Sequence, residues 1–242
     1  MLFRSSHDGK YVFAAIAVAP GAVDVIDTAT MKVAQSIKVK GAVHNTYVTP
    51  DGKYMIAGSV GGRRLTVIDA NTLQIAWELA MDNGVRPIAF EKAPDGSTSR
   101  MFVQISNFHG FHVVDFKTHE VVQKITLPTE PVKGKAESGA PSHGIGVSPD
   151  GKTLWVNSSI AAGTFAYSLP DLKPLGYVAS GHTPDWLTFT PDSKTLYVAV
   201  AGENTVSVID VASRKETARI PVGQRSEEHT SELQSRETIS YA

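Results

Sequence analysis

Short segments in which apolar and polar residues alternate follow one another along most of the chain. Each segment runs for about 5–8 residues, the usual length of a strand. A tight turn built on an aspartate recurs between them, at Asp8, Asp51, Asp95, Asp150 and Asp192, with spacings of 43, 44, 55 and 42 residues. Alternation with a period of two predicts β-strands, and no window sustains the helical 3.6-residue period for three turns.

Each turn motif is followed by two further sequence motifs, always in the same order. The first of these two is VDVIDTAT ending at Thr30, LTVIDANT ending at Thr72 and VSVIDVAS ending at Ser213, with degenerate copies at 111–118 and 164–171. The last motif ends the repeat, as in KVAQSIKVKG (32–41) and KETARIPVG (215–223). Four strands in about 43 residues is the pattern of a propeller blade, whose faces must be covered by neighbouring blades. We therefore predict an all-β chain of four-stranded antiparallel blades at 2–40, 41–83, 84–127, 139–180 and 181–223, with a loop insertion at 128–138.

The phrases SPDGKTLWVNS, VSVIDVAS and ETARIPVG resemble the YVTN-type β-propeller repeat, and the resemblance extends over residues 2–223. Propellers of that family usually close with seven blades, so the resemblance implies about five blades of a probable seven. We then expect the first and last blades to expose faces that the missing blades would cover, and the natural protein to extend past both ends. The family also implies a bacterial protein in the periplasm or outside the cell.

The segment from Arg225 onwards, RSEEHTSELQSRETISYA, has no periodicity and no counterpart elsewhere in the chain. It resembles the translation of a sequencing adapter, and Arg225 to Ser235 matches that reading frame residue for residue. Such segments are excluded from reasoning about the fold. We expect residues 225–242 to be a non-native, disordered tail.

Composition narrows the functional classes without selecting one. The 242 residues carry 23 basic and 24 acidic side chains, so there is no global field to attract nucleic acid. The absence of cysteine excludes disulfides, thiol catalysis and cysteine metal sites. No apolar run reaches the length of about 20 residues that a membrane span requires. We expect a small molecule or a protein as partner, besides the missing blades.

The candidate site comes from one position shared by the inner strands. Two residues before the apolar pair of each inner strand the chain places an ionisable residue, except in the first blade, where the strand begins too late. These residues are His44, Arg86, His143 and Asp185. His182 and Trp186 flank the last of them. If inner strands line a channel, as in related propellers, these six residues form a polar and aromatic rim at its mouth.

Several kinds of chemistry fit such a rim. Histidines from different strands can bind copper, zinc or haem iron, and His44, His143 and His182 are the candidate metal ligands. Histidine and aspartate together can also perform acid–base work. We favour a non-enzymatic binding or scaffold module. The alternatives are a haem- or copper-binding redox module, or a propeller that hydrolyses lactones with a histidine, Arg86 and Asp185.

Two further expectations concern single positions. His109 and His112 lie three apart at a loop-to-strand junction, where a strand sends them to opposite faces, so they do not form a joint metal site. Aspartate at Val208 or Ile209 is expected to disrupt the fifth blade, because an unpaired buried charge is costly.

Overall fold

The computed structural model describes residues 3–130, 134 and 139–223, and the regular secondary structure of this part is entirely β-strand. Twenty strands form five four-stranded antiparallel sheets, each made of four strands consecutive in sequence. The predicted all-β class and its four-stranded blades are therefore confirmed. The predicted tail 225–242 and most of the predicted insertion 128–138 lie outside the described residues. The described part contains no helix that could span a membrane.

Each blade runs as a meander from its inner to its outer strand. Blade one contains β1 (Phe3–Ser5), β2 (Tyr11–Ile16), β3 (Ala22–Asp27) and β4 (Lys32–Lys38). Blade two contains β5 (Val43–Val48), β6 (Tyr54–Ser59), β7 (Arg64–Asp69) and β8 (Ile75–Ala80). Blade three contains β9 (Val85–Lys92), β10 (Thr98–Ile105), β11 (Gly110–Asp115) and β12 (Glu120–Thr126). Blade four contains β13 (Ser142–Val147), β14 (Thr153–Ser158), β15 (Gly163–Ser168) and β16 (Pro174–Val178), and blade five contains β17 (Pro184–Phe189), β18 (Thr195–Val200), β19 (Thr205–Asp210) and β20 (Lys215–Pro221).

The repeated aspartates form the hairpin turns by accepting hydrogen bonds from nearby groups. Asp51 accepts from the Thr49 hydroxyl at 2.7 Å, and Gly52 has the positive φ of 73° that this turn requires. In the next turn Asp69 accepts from the backbone N–H groups of Asn71 and Thr72. The Thr72 N–H, above all, holds the pKa of Asp69 below its usual value. The turn aspartates thus stabilise the turns that join consecutive strands.

Consecutive blades pack face to face through apolar clusters. Each of four clusters combines residues of two neighbouring blades, as where Trp155 of blade four meets Leu196 and Val198 of blade five. All three of these side chains are fully buried. The same arrangement joins blades one and two, two and three, and three and four. The sheets of blades two, three and four are therefore buried on both faces, as the stacking of blades requires.

Blades one and five are each buried on one face only. In blade five Ile209 is fully buried against blade four, whereas the adjacent Val208 points to the other face and is half-buried. In blade one Val25 is fully buried and Ile26 is half-buried. Among the described residues no sheet covers these two outer faces. Disruption of blade five by aspartate stays a prediction at both positions, and the half-buried position of Val208 makes the expected effect smaller there than at Ile209.

Candidate functional site

The four predicted rim residues occupy the same structural position. His44, Arg86, His143 and Asp185 are each the second residue of an inner strand, in β5, β9, β13 and β17. At this point every one of those strands departs from regular pairing with its neighbour, because a β-bulge interrupts the ladder. Bulges change the direction of a side chain and occur often beside functional sites. The shared bulge makes these positions equivalent in the fold as well as in the sequence.

His143 lies at the centre of the site. Its Nδ1 atom is 2.6 Å from Oδ1 of Asp185, and both side chains are buried. The imidazole ring meets the His44 ring edge-on at 5.7 Å and the Trp186 ring edge-on at 5.0 Å between centroids. Four of the six predicted residues therefore form one cluster that joins blades two, four and five. A buried carboxylate beside an imidazole nitrogen fixes the orientation of the ring.

A close approach of β13 and β17 positions the histidine and the aspartate. Gly144 makes this approach feasible, because a Cβ atom there would lie 2.3 Å from the carbonyl oxygen of Asp185. The side-chain amide of Asn157 donates a 3.0 Å hydrogen bond to the same carbonyl. The amide oxygen of Asn157 accepts in turn from the Thr164 hydroxyl at 2.9 Å. Buried hydrogen bonds thus hold the backbone of Asp185 in one place.

The other two predicted residues make different contacts. Arg86 donates from Nε to the Ser106 hydroxyl at 2.9 Å, and its guanidinium lies beside Gly139. His182 is exposed in the loop before β17, where its backbone N–H donates to Glu203. Among the described residues, no group of three or more His, Cys, Asp or Glu side chains has the geometry to hold a metal ion. His44, His143 and His182 are accordingly not assembled as a metal site here.

The inner strands of blades two to five, together with part of the open face of blade five, border an open cavity of about 720 Å³. Its wall is mainly apolar and aromatic, with Tyr47, Phe90, Ile145, Trp186, Leu187 and Tyr197 among the lining residues. Arg4 is the one charged residue of the lining in the described part of the chain, and its guanidinium lies 5.8 Å above the Tyr47 ring. Of the six predicted site residues only Trp186 lines the cavity. It therefore connects the His143 cluster to the cavity.

This cavity wall could not be predicted from the sequence. Several of its residues, including Val48, Ile88 and Phe90, are in sequence terms only apolar positions of the inner strands. The repeat pattern does not mark Arg4 as a site residue, because β1 is short and precedes the first turn. The available signal was a set of large apolar side chains at the ends of consecutive inner strands, which also suits an ordinary core.

Three other histidines of the described residues, His109, His112 and His119, make contacts outside the site. His109 lies 2.7 Å from the Ser158 hydroxyl of blade four, whereas buried His112 faces Asp82 of the loop after blade two at 3.9 Å. The expectation that these two residues diverge is confirmed. Burial lowers the pKa of both rings, and for His112 the nearby Lys124 lowers it further. His119 stacks on Trp77 with ring centroids 4.1 Å apart.

Comparison of the sequence with protein-family models and with curated proteins finds no match. Among solved structures, one similar chain belongs to hydrazine synthase of Kuenenia stuttgartiensis. It is 16% identical with a TM-score of 0.59, and the alignment covers 92% of this chain and 86% of that one. The structural similarity shows a shared propeller-type fold, and at this identity it says nothing about shared chemistry.

Proposed function

We propose that this protein is a non-catalytic binding module that holds a small amphipathic anion in the cavity of its channel. The observation that carries the proposal is the cavity itself. Its volume of about 720 Å³ lies within the range of about 300–1,000 Å³ typical of small-molecule sites, and its wall is mainly apolar. Among the described residues that line the cavity, Arg4 is the one cation. This combination matches a ligand with an apolar or aromatic body and one acidic group.

The cavity separates the two ends of such a ligand. Phe90, Ile145 and Trp186 offer apolar contacts and ring faces to the body. Arg4 offers a planar set of N–H donors that suits a carboxylate. Its stacking over Tyr47 restricts the guanidinium before a ligand arrives, which lowers the entropic cost of binding.

The test measures binding of 2-naphthoate and of its neutral amide, 2-naphthamide, by isothermal titration calorimetry. Thr188 lines the cavity and is exposed, so Thr188→Trp fills the space without replacing a buried side chain. We expect this change to abolish binding of both compounds. The matched control is Thr217→Trp, an exposed threonine on β20 outside the cavity. Failure of both compounds to bind the unaltered protein, or equal binding by Thr188→Trp, would overturn the proposal.

The acidic group is tested separately with Arg4→Met. A hydrogen bond to a charged group contributes about 1.5–3 kcal/mol, so we expect 2-naphthoate to bind at least about tenfold more weakly. Binding of 2-naphthamide should change little. An equal loss for both compounds would show that Arg4 shapes the cavity and does not recognise charge.

Lactone hydrolysis is the second candidate, and one observation favours it. The buried His143 and Asp185 side chains form a potential acid–base pair, and Trp186 connects the pair to the cavity. Turnover of an aromatic lactone by the protein, lost in His143→Gln, would replace the binding proposal. Binding of 2-naphthoate without turnover of the lactone would support the binding proposal.

The YVTN-type motifs support two further parts of the proposal, namely membership of that repeat family and action in the periplasm or outside the cell. Sequencing the natural gene beyond both ends of this chain tests them. An export signal and further copies of the repeat are expected there.

A further inference from the structure

The chain enters β9 through Asn83 and Gly84, the one place in the sequence where glycine follows asparagine. The backbone N–H of Gly84 donates a 2.9 Å hydrogen bond to Oδ1 of Asn83, so the side chain is folded back over the following peptide group. Since a C=O bond measures about 1.23 Å, Cγ of Asn83 lies at most about 4 Å from the same nitrogen. Atoms poised to react are about 3–3.5 Å apart, so only a small rotation of the side chain separates this contact from a reactive one.

No other hydrogen bond restrains this pair among the residues that the structure describes. The contact with Gly84 is the one that the Asn83 side chain makes, and the Gly84 N–H makes no other. Asn83 is half-buried, so water can reach its amide group. The carbonyl of Gly84 accepts from the N–H of Ser106 at 2.8 Å, which anchors the glycine. The nitrogen of Gly84 is therefore available and held in position.

Packing against blades two and three requires the glycine at position 84. A Cβ atom there would lie 2.8 Å from the carbonyl oxygen of Val60 and 2.9 Å from Oγ of Ser106. The same lack of a side chain leaves the approach of the Gly84 nitrogen to Cγ of Asn83 unhindered. The residue that the fold needs at this position is thus the one that makes the preceding asparagine most reactive.

We propose that Asn83 is a site of spontaneous deamidation, through a succinimide formed with Gly84. The Gly84 nitrogen loses its proton and bonds to Cγ of Asn83, and the side-chain nitrogen leaves as ammonia. Water then opens the five-membered ring at one of its two carbonyl groups. Opening at Cγ gives aspartate with the main chain unchanged. Opening at the backbone carbonyl gives isoaspartate, in which the main chain runs through Cβ and Cγ.

The two products differ in what they do to the start of β9. Both place a negative charge next to Asp82, but only isoaspartate lengthens the main chain, by one atom. At Gly84 the carbonyl of Val60 and the hydroxyl of Ser106 leave no room even for a methyl group. That hydroxyl also accepts the 2.9 Å hydrogen bond from Nε of Arg86. Isoaspartate should therefore disturb the packing beside one of the predicted rim residues.

Peptide mapping by mass spectrometry tests the site in the folded full-length chain after storage in mildly alkaline buffer. We expect position 83 to gain the mass of a hydroxyl in place of an amino group, and part of the product to be labelled by protein isoaspartyl methyltransferase. Asn71 and Asn107 are exposed but precede bulkier residues, so they should stay unmodified over the same time. Asn83→Gln is the matched control, because its longer side chain would have to close a six-membered ring. Far-UV circular dichroism confirms that this variant is folded.

The contribution of the fold is measured by repeating the storage in guanidinium chloride. Because the folded chain holds the Gly84 nitrogen near Cγ of Asn83, it should form the product at least as fast as the unfolded chain does. The stored protein is then separated by ion exchange and unfolded in urea. The isoaspartate form should have a lower midpoint than the unaltered chain, whereas Asn83→Asp, which adds the charge alone, should stay close to it.

Three results would overturn the proposal. One is a stored folded chain in which position 83 is modified no more than Asn71 and Asn107. Another is aspartate without any isoaspartate, since direct hydrolysis of the amide and not a succinimide would then be the route. The third is a folded chain that reacts about tenfold more slowly than the unfolded chain, because the fold would then protect Asn83.

Discussion

Aspartate substitutions at two adjacent positions of β19 test the one-sided burial of blade five. Ile209 is fully buried against blade four, and Val208 is half-buried on the opposite face. Replacing Ile209 removes about 1.5–3 kcal/mol of apolar burial and places a carboxylate among apolar side chains, which costs several kcal/mol more. The sum is about 5 kcal/mol or more, comparable with the whole stability of an average domain.

Replacing Val208 should cost much less. About half of its apolar area is already in water, so about 1 kcal/mol of burial is lost. The lower strand preference of aspartate adds up to about 1 kcal/mol. The free energy of unfolding is therefore expected to fall by about 3 kcal/mol or more further in Ile209→Asp than in Val208→Asp.

Urea unfolding of the two variants and the unaltered protein measures the difference. Tryptophan fluorescence is a suitable signal because Trp155 packs in the same cluster as Ile209. Ile209→Asp should lower the midpoint severely or expose Trp155 without denaturant, whereas Val208→Asp should shift it slightly. Equal shifts, or a larger one for Val208→Asp, would refute the assignment of the two faces.

Three further changes test other contacts. Burial lowers the pKa of His112 below its unfolded value of about 6.5. Because the unfolded state then binds the proton more readily, the free energy of unfolding should fall as the pH drops below about 6.5. In His112→Gln the urea midpoint should depend less on pH in that range. Gly144→Ala should cost several kcal/mol in urea unfolding, because the added methyl group would overlap the carbonyl of Asp185, and an unchanged midpoint would contradict this close approach. Arg100→Met should lower the thermal midpoint, because it leaves the buried carboxylate of Glu91 without its two hydrogen bonds of 2.6 and 2.7 Å, and the double variant with Glu91→Gln should recover part of the loss.

The repeat pattern alone was enough to predict the all-β class and the four-stranded sheets. Alternation with a period of two and the recurring turn aspartates are local properties, and each turn forms from groups within a few residues of it. The sequence also indicated the equivalence of His44, Arg86, His143 and Asp185, because repeats place matching residues at matching strand positions. It did not indicate the β-bulge at each position, which appears only when two strands pair.

The tertiary structure decided which of these residues meet and where the cavity lies. His143 reaches Asp185 because Gly144 allows two inner strands to approach closely, and His182 makes its contact with Glu203 in an exposed loop. Arg4 enters the cavity wall beside Tyr47 although 43 residues separate them in the sequence. Local alternation determines the two faces of a strand, whereas the packing of whole blades determines which face is buried and which surrounds the channel. That is why Val208 and Ile209 are alike in the sequence and differ in the folded protein.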